Sequence, residues 1–107
     1  MEAQYIYNLS IHCDPSCAQD VLYYVQKVLL PQWREYPYWH EGRLLRVHLP
    51  AAVQTEEMAI SYALQFVADT LEPLETFDHE SDPSIQRIRE VYADRVLFTS
   101  TILSVIG

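Results

Sequence analysis

The sequence predicts an α+β domain. Its chain order, βαββαβ, folds into a four-stranded antiparallel sheet with two helices on one face. Three observations lead there. Segments 5–12, 43–49, 58–67 and 96–106 carry strand-like alternation or apolar runs. Segments 15–30 and 69–92 carry apolar residues at helical spacing. Asp14-Pro15 and Asp82-Pro83 each offer a capping carboxylate followed by a proline suited to a first helical turn.

In the first strand Tyr5, Tyr7, Leu9 and Ile11 share one side, and Asn8, Ser10 and His12 share the other. That is the pattern of a half-buried strand. After Asp14-Pro15, the residues Ala18, Val21, Leu22, Val25, Val28 and Leu29 mark a helix over 15–30. Pro31 lacks an N–H and disfavours helix at Leu30, so a break or kink is expected there, with a short helical turn over 32–35. Residues 36–42 read as a loop. The second strand, 43–49, closes at Pro50, and 51–57 connects it to the third. The third strand sets Ile60, Tyr62, Leu64 and Phe66 against Ala59, Ser61, Ala63 and Gln65.

Asp69-Thr70 is expected to cap a short helix carrying Leu71, Leu74 and Phe77. The second helix is interrupted near Asp82-Pro83, where a further piece opens with Ile85, Ile88, Val91 and Tyr92. Residues 93–95 turn into the last strand. Right-handed crossovers then give sheet order 4-1-3-2, a ferredoxin-like arrangement. Matching apolar parity pairs Val47 with Ile60, Leu45 with Tyr62, Leu49 with Met58 and Arg46 with Ser61.

The 107 residues suit a single domain spanning 1–107. Half of them are hydrophobic, which excludes a disordered chain. The net charge is −8, a field that repels nucleic acid and anionic membranes, so neither is an expected partner. No apolar run reaches the roughly 18–20 residues of a membrane span, and Met1-Glu2-Ala3-Gln4 leads directly into a strand pattern. The expected location is the cytoplasm, with Cys13 and Cys17 reduced.

Two helices leave one sheet face bare. On it the sequence places Asn8, Ser10 and His12, then Arg46 and His48, then Ser61 and Gln65. The last strand is apolar on both sides: Phe98, Ile102 and Ile106 oppose Leu97, Leu103 and Val105. Such a strand expects burial on both faces, which predicts a homodimer packed sheet against sheet. The polar stripe is the candidate binding site. A histidine there can act as a general base, and Arg46 can hold a carboxylate with two hydrogen bonds. The plainer reading is a hydrogen-bonded dimer interface with no ligand.

Trp33, Tyr36 and Trp39 form a candidate lid over an apolar ligand, or else a seal at the helix-to-strand corner. Cys17 falls in the first helical turn, where a thiolate would be stabilised; as a small buried hydrophobe it needs no such role. His12, Cys13 and Cys17 make at most half a zinc site, and the acidic stretch Glu72, Glu75, Asp78, Glu80 and Asp82 lacks calcium-loop spacing, so no metal is expected. With only Gly42 and Gly107 there is no phosphate loop, and no cofactor is implied.

Tyr5-Ile6-Tyr7-Asn8, Arg43-Leu44-Leu45-Arg46-Val47, Tyr62-Ala63-Leu64-Gln65-Phe66 and Phe98-Thr99-Ser100-Thr101-Ile102-Leu103 occur in an order and at spacings that resemble a family of small domain-of-unknown-function proteins. The resemblance spans nearly the whole chain. It implies a ferredoxin-like fold related in shape to dimeric α+β barrels, and it carries no agreed catalytic residues. Two functions are therefore expected in competition: a non-catalytic homodimeric binding or assembly module, and a small monooxygenase-like enzyme of the dimeric α+β barrel type using a His/Arg cleft. A small-molecule ligand is compatible with both.

Overall fold

The computed structural model describes residues 3–50 and 58–107. The connecting segment 51–57 lies outside them. Four strands, β1 (Tyr5–Cys13), β2 (Glu41–Arg46), β3 (Ile60–Ala68) and β4 (Val96–Ser104), form one antiparallel sheet in the order β2-β3-β1-β4. Read from the other edge, this is 4-1-3-2. One helical arm comprises α1 (Ala18–Tyr24), a π-helical turn (Val25–Leu29) and α2 (Leu30–Arg34). The other comprises α3 (Glu72–Thr76), a 3₁₀ turn (His79–Ser81) and α4 (Pro83–Tyr92). Ala93–Arg95 forms a last 3₁₀ turn into β4. No helix among the described residues is long and apolar enough to cross a membrane.

The alternation in β1 and β3 sorts as the sequence predicts. Tyr7, Leu9, Ile11 and Cys13 from β1, and Tyr62, Leu64, Phe66 and Ala68 from β3, are buried beneath the helices. Val21, Val25, Leu29 and Trp33 cover them from the first arm; Leu74, Ile85 and Ile88 cover them from the second. Burying these groups is the main drive for the helices to dock.

Pro31 does not break the first arm. The preceding turn widens instead, and the Leu30 N–H reaches back five residues to the Val25 carbonyl. The wide turn places Pro31 in the first turn of α2, where its missing N–H costs nothing. The arm therefore runs on without a break to Arg34, through the short helical turn expected over 32–35.

Two of the three expected caps take other partners instead. Asp14 Oδ1 accepts hydrogen bonds from the Ser16 N–H (2.9 Å) and hydroxyl (2.7 Å), and α1 begins only after Cys17. Asp69 turns outward to His40, and α3 starts after Leu71 with no side-chain cap. Asp82 caps α4 as predicted, accepting from the Ser84 and Ile85 N–H groups. It is only 5% exposed and also accepts from the Tyr36 hydroxyl at 2.8 Å.

The pairing of β2 is one residue away from the expected register. Leu44 lies opposite Leu64, Leu45 opposite Ala63 and Arg46 opposite Tyr62. The cause is at Gly42, opposite Phe66. A Cβ at position 42 would stand 2.3 Å from the Phe66 ring. The ring fills the glycine's empty side-chain space and stacks on Trp39, with centroids 4.5 Å apart. Aromatic cover of a strand glycine pins register more firmly than apolar parity does. The helix-facing set is thus Gly42, Leu44 and Arg46, while Leu45 stays 38% exposed on the bare face.

Candidate functional site

The bare face presents cross-strand rows. Successive rows bring together Ser61, His12 and Leu97; then Leu45, Ala63, Ser10 and Thr99; then Arg43, Gln65, Asn8 and Thr101; then Glu41, Val67, Ile6 and Leu103. Val47 extends the first row through its N–H, which donates to the Ser61 carbonyl at 2.9 Å. Polar groups occupy the middle of the face and apolar ones its rims and lower end.

The five central residues singled out from the sequence, Asn8, Ser10, His12, Ser61 and Gln65, do meet here. Gln65 Nε2 donates to Asn8 Oδ1 at 3.1 Å, and Asn8 Nδ2 donates to Ser10 Oγ at 3.1 Å. Arg43 approaches Gln65 Oε1 at 3.4 Å. His12 Nδ1 and Ser61 Oγ are 2.7 Å apart across the β1–β3 pair. Among the described residues no carboxylate bonds to the other ring nitrogen, so His12 and Ser61 lack the third group that orients a catalytic base. Asn8, Ser10 and Gln65 thus form a hydrogen-bonded chain, and His12 pairs with Ser61.

Arg46 and His48 do not join it. The one-residue slip turns Arg46 to the helix side of the sheet, opposite Tyr62, and puts Arg43 on the bare face in its place. His48 stands exposed beyond the end of β2. Parity alone could not locate this exchange, because both residue sets of β2 hold leucine and arginine. The signal that could have located it is Gly42, set in the strand facing an aromatic residue.

The lid reading also gives way for the indoles. Trp33 is fully buried and Trp39 is 6% exposed. With Tyr7, Tyr36, Phe66 and Phe77 they pack edge-to-face and stacked between helices and sheet. Trp39 Nε1 donates to the Trp33 carbonyl at 2.6 Å, fixing the corner. The half-buried Tyr36 is tied to Asp82; burial first, and then that carboxylate, pushes its phenol up to about 12. These rings seal the core where a ligand beneath a lid would sit.

The cysteines are structural in the same sense. Both are free and buried. Burial raises the Cys13 thiol to about 12 and also raises Cys17, outweighing the lowering influence of Arg95. A stabilised thiolate at Cys17 is therefore not what the fold produces. Among the described residues no three His, Cys, Asp or Glu side chains group as metal ligands.

Two open clefts flank the sheet. One, of about 320 Å³, lies at the upper end beside His12, between Asp14, Asp94, Arg95 and Leu97. The other, of about 450 Å³, lies between the first helical arm and the edge strand β2. Its walls include Leu22, Leu30, Leu44 and Tyr62, with Arg34, Arg43 and Arg46 around them. The sequence pattern did not point to this second site, because it joins residues from α1, α2, β2 and β3 through a register that parity misplaced.

Fold and faces together define a class: a small α+β domain whose four-stranded antiparallel sheet is covered by helices on one side and bare on the other. A crystal structure of an ethyl tert-butyl ether D (EthD) family protein from Bacillus halodurans C-125 shares this fold, with a TM-score of 0.63 over 95% of this chain and 99% of that chain at 13% identity. The chain belongs to the family described as domain of unknown function DUF4286, which matches residues 4–106. No curated protein matches it.

Proposed function

We propose that this domain is a non-catalytic homodimeric binding and assembly module, with two copies meeting through their bare sheet faces. One observation carries the reading: Asn8, Ser10 and Gln65, and His12 with Ser61, already hydrogen-bond to one another, while the rims of that face expose apolar side chains. Leu97 is 56% exposed, Val105 45%, Val47 44% and Leu103 41%. A polar stripe already hydrogen-bonded within itself costs less to cover than one whose groups all lack partners. A two-fold axis parallel to the strands would lay the Leu45 and Val47 rim over the partner's β4 rim, which makes the face self-complementary. The relation in shape to dimeric α+β barrels supports the same geometry. Sedimentation equilibrium at tens of micromolar tests it. A dimer that Leu97→Asp converts to a folded monomer is expected; a wild-type monomer at that concentration sinks the idea.

A second reading, a small enzyme of the dimeric α+β barrel type, is favoured by the upper cleft, where His12 and Arg95 stand together. Here Arg95 takes the role first given to Arg46, holding a carboxylate while His12 removes a proton. A thermal-shift screen of small carboxylates, repeated on His12→Ala, discriminates. Stabilisation that survives the substitution removes His12 from any site.

A further inference from the structure

The sequence has seven basic residues against fifteen acidic ones, yet three of the seven, Arg34, Arg43 and Arg46, surround a single cleft. None of the three forms an ion pair with a carboxylate among the described residues. Of the other arginines, Arg87 pairs with Glu90 and Arg89 with Glu80, while Arg95 lies over the Tyr92 ring. In a chain so rich in acid, three clustered cations without an acidic partner are an unspent recognition element. Their elements converge by tertiary structure alone. Arg34 ends α2, and Arg43 and Arg46 lie on β2.

The geometry of each is suited to a ligand. Arg34 Nη2 donates to the Gly42 carbonyl at 3.2 Å, which holds the guanidinium across the gap between α2 and the sheet edge. That bond uses one of its five donors. Arg46 projects from the helix-facing side of β2 next to Tyr62. Beneath them the wall is apolar: Leu30 and Tyr62 are buried, and Leu22 and Leu44 are half-buried. The volume, about 450 Å³, lies within the range of small-molecule sites, which are mostly apolar with a few convergent polar groups.

We propose that this cleft binds a small organic anion with an apolar body. Its oxyanion head is held by Arg34 and Arg46, with Arg43 at the rim, and its body lies against Leu22, Leu30 and Leu44. Guanidinium forks match planar oxyanions, and charge-assisted hydrogen bonds of this kind are the strong ones. The net charge of −8 does not prevent this. At physiological ionic strength distant charges are screened beyond roughly 8 Å, so the three nearby cations dominate at the cleft. The cleft wraps the β2 edge: Arg34, Arg46, Leu44 and Tyr62 line it from the helix side and only Arg43 and Leu45 from the bare face, so its oxyanion contacts at Arg34 and Arg46 do not rest on the dimer reading.

Calorimetry and chemical-shift mapping on the full chain test it, with decanoate, decyl phosphate, decanol and decyltrimethylammonium as probes. Decanoate or decyl phosphate, or both, should bind and shift the resonances of Leu22, Leu30, Leu44 and Tyr62. Which of the two binds tighter identifies the head as carboxylate or phosphate. Decanol should bind at least tenfold more weakly and the cation not at all. Arg46→Gln and Arg34→Gln should each weaken binding about tenfold, the scale of one charge-assisted hydrogen bond, with unchanged thermal unfolding as the control. Binding of neither anion at millimolar concentration overturns the proposal. So does decanol binding equal to decanoate, or shifts that map to the His12 cleft instead.

Discussion

The ring of Phe66 occupies the space that a side chain at position 42 would need: a Cβ on Gly42 would stand 2.3 Å from Phe66 Cε1 and 2.6 Å from Cδ1. Phe66 is fully buried and stacked on Trp39, so the ring has nowhere to retreat. Gly42→Ala should therefore overpack the core and cost about 2 kcal/mol. Urea unfolding checks this. An unchanged midpoint would mean that the glycine does not set the β2 register.

Asp82 couples the two helical arms. Its carboxylate caps α4 and accepts the Tyr36 hydroxyl. Asp82→Ala removes a cap, worth about 1 kcal/mol, and strands a half-buried phenol, worth about 1 kcal/mol more. Tyr36→Phe should cost clearly less than Asp82→Ala, since it leaves the cap intact. Equal losses in thermal unfolding would refute this division.

Alkaline pH should destabilise the protein through its buried tyrosine and cysteine. Burial raises Tyr7 from 10.0 to about 12 and Cys13 from 9.0 to about 12. Both groups are protonated when folded and ionise more readily when unfolded. Their stabilisation is complete below the unfolded values and is lost as pH climbs through 9 to 12. The loss from Tyr7 is on the order of 2–3 kcal/mol. Phenolate absorbance and circular dichroism should change together for Tyr7. In Tyr7→Phe the slope of stability against pH should be shallower, and an unaltered slope would rule out the assignment.

Neither cysteine should react with an aromatic disulfide reagent in the folded state at neutral pH. Cys13 is wholly inaccessible and Cys17 is 2% exposed. Thiol modification should follow the rate of local opening and accelerate with urea. Immediate stoichiometric reaction at Cys17 would restore the redox reading.

If two copies meet through the sheet face, each brings a net charge of −8. That repulsion opposes an association driven by apolar rims, so raising salt from tens of millimolar to several hundred should tighten the dimer. Weakening with salt would point instead to ion pairs across the interface, with Arg43 and Glu41 the first to substitute.

Much of the fold was legible because β1 and β3 are unambiguous. Each has one consistently apolar parity, so Tyr7, Leu9 and Ile11, like Tyr62, Leu64 and Phe66, could face only one way. The Asp82-Pro83 start was legible because its signal is local: a carboxylate reaching the N–H groups two and three residues on. Asp14 and Asp69 carried the same local chemistry and spent it on a Ser16 turn and a His40 contact. Composition alone does not say which partner a short acidic side chain will take.

The central part of the candidate stripe was legible for the same reason as the core: Asn8, Ser10, His12, Ser61 and Gln65 are the opposite parity of strands whose apolar side was plain. The outer part was not. In β2 both parities hold a leucine and an arginine, so a one-residue shift costs little by pattern and changes everything by position. Element order, the polar and apolar faces of the central strands, and the acidic balance were determined by the sequence itself, through period, capping chemistry and charge. Tertiary structure decided which arginine reaches which cleft. Register at an edge strand is settled by how one ring packs over one glycine, and that contact exists only once the sheet has formed.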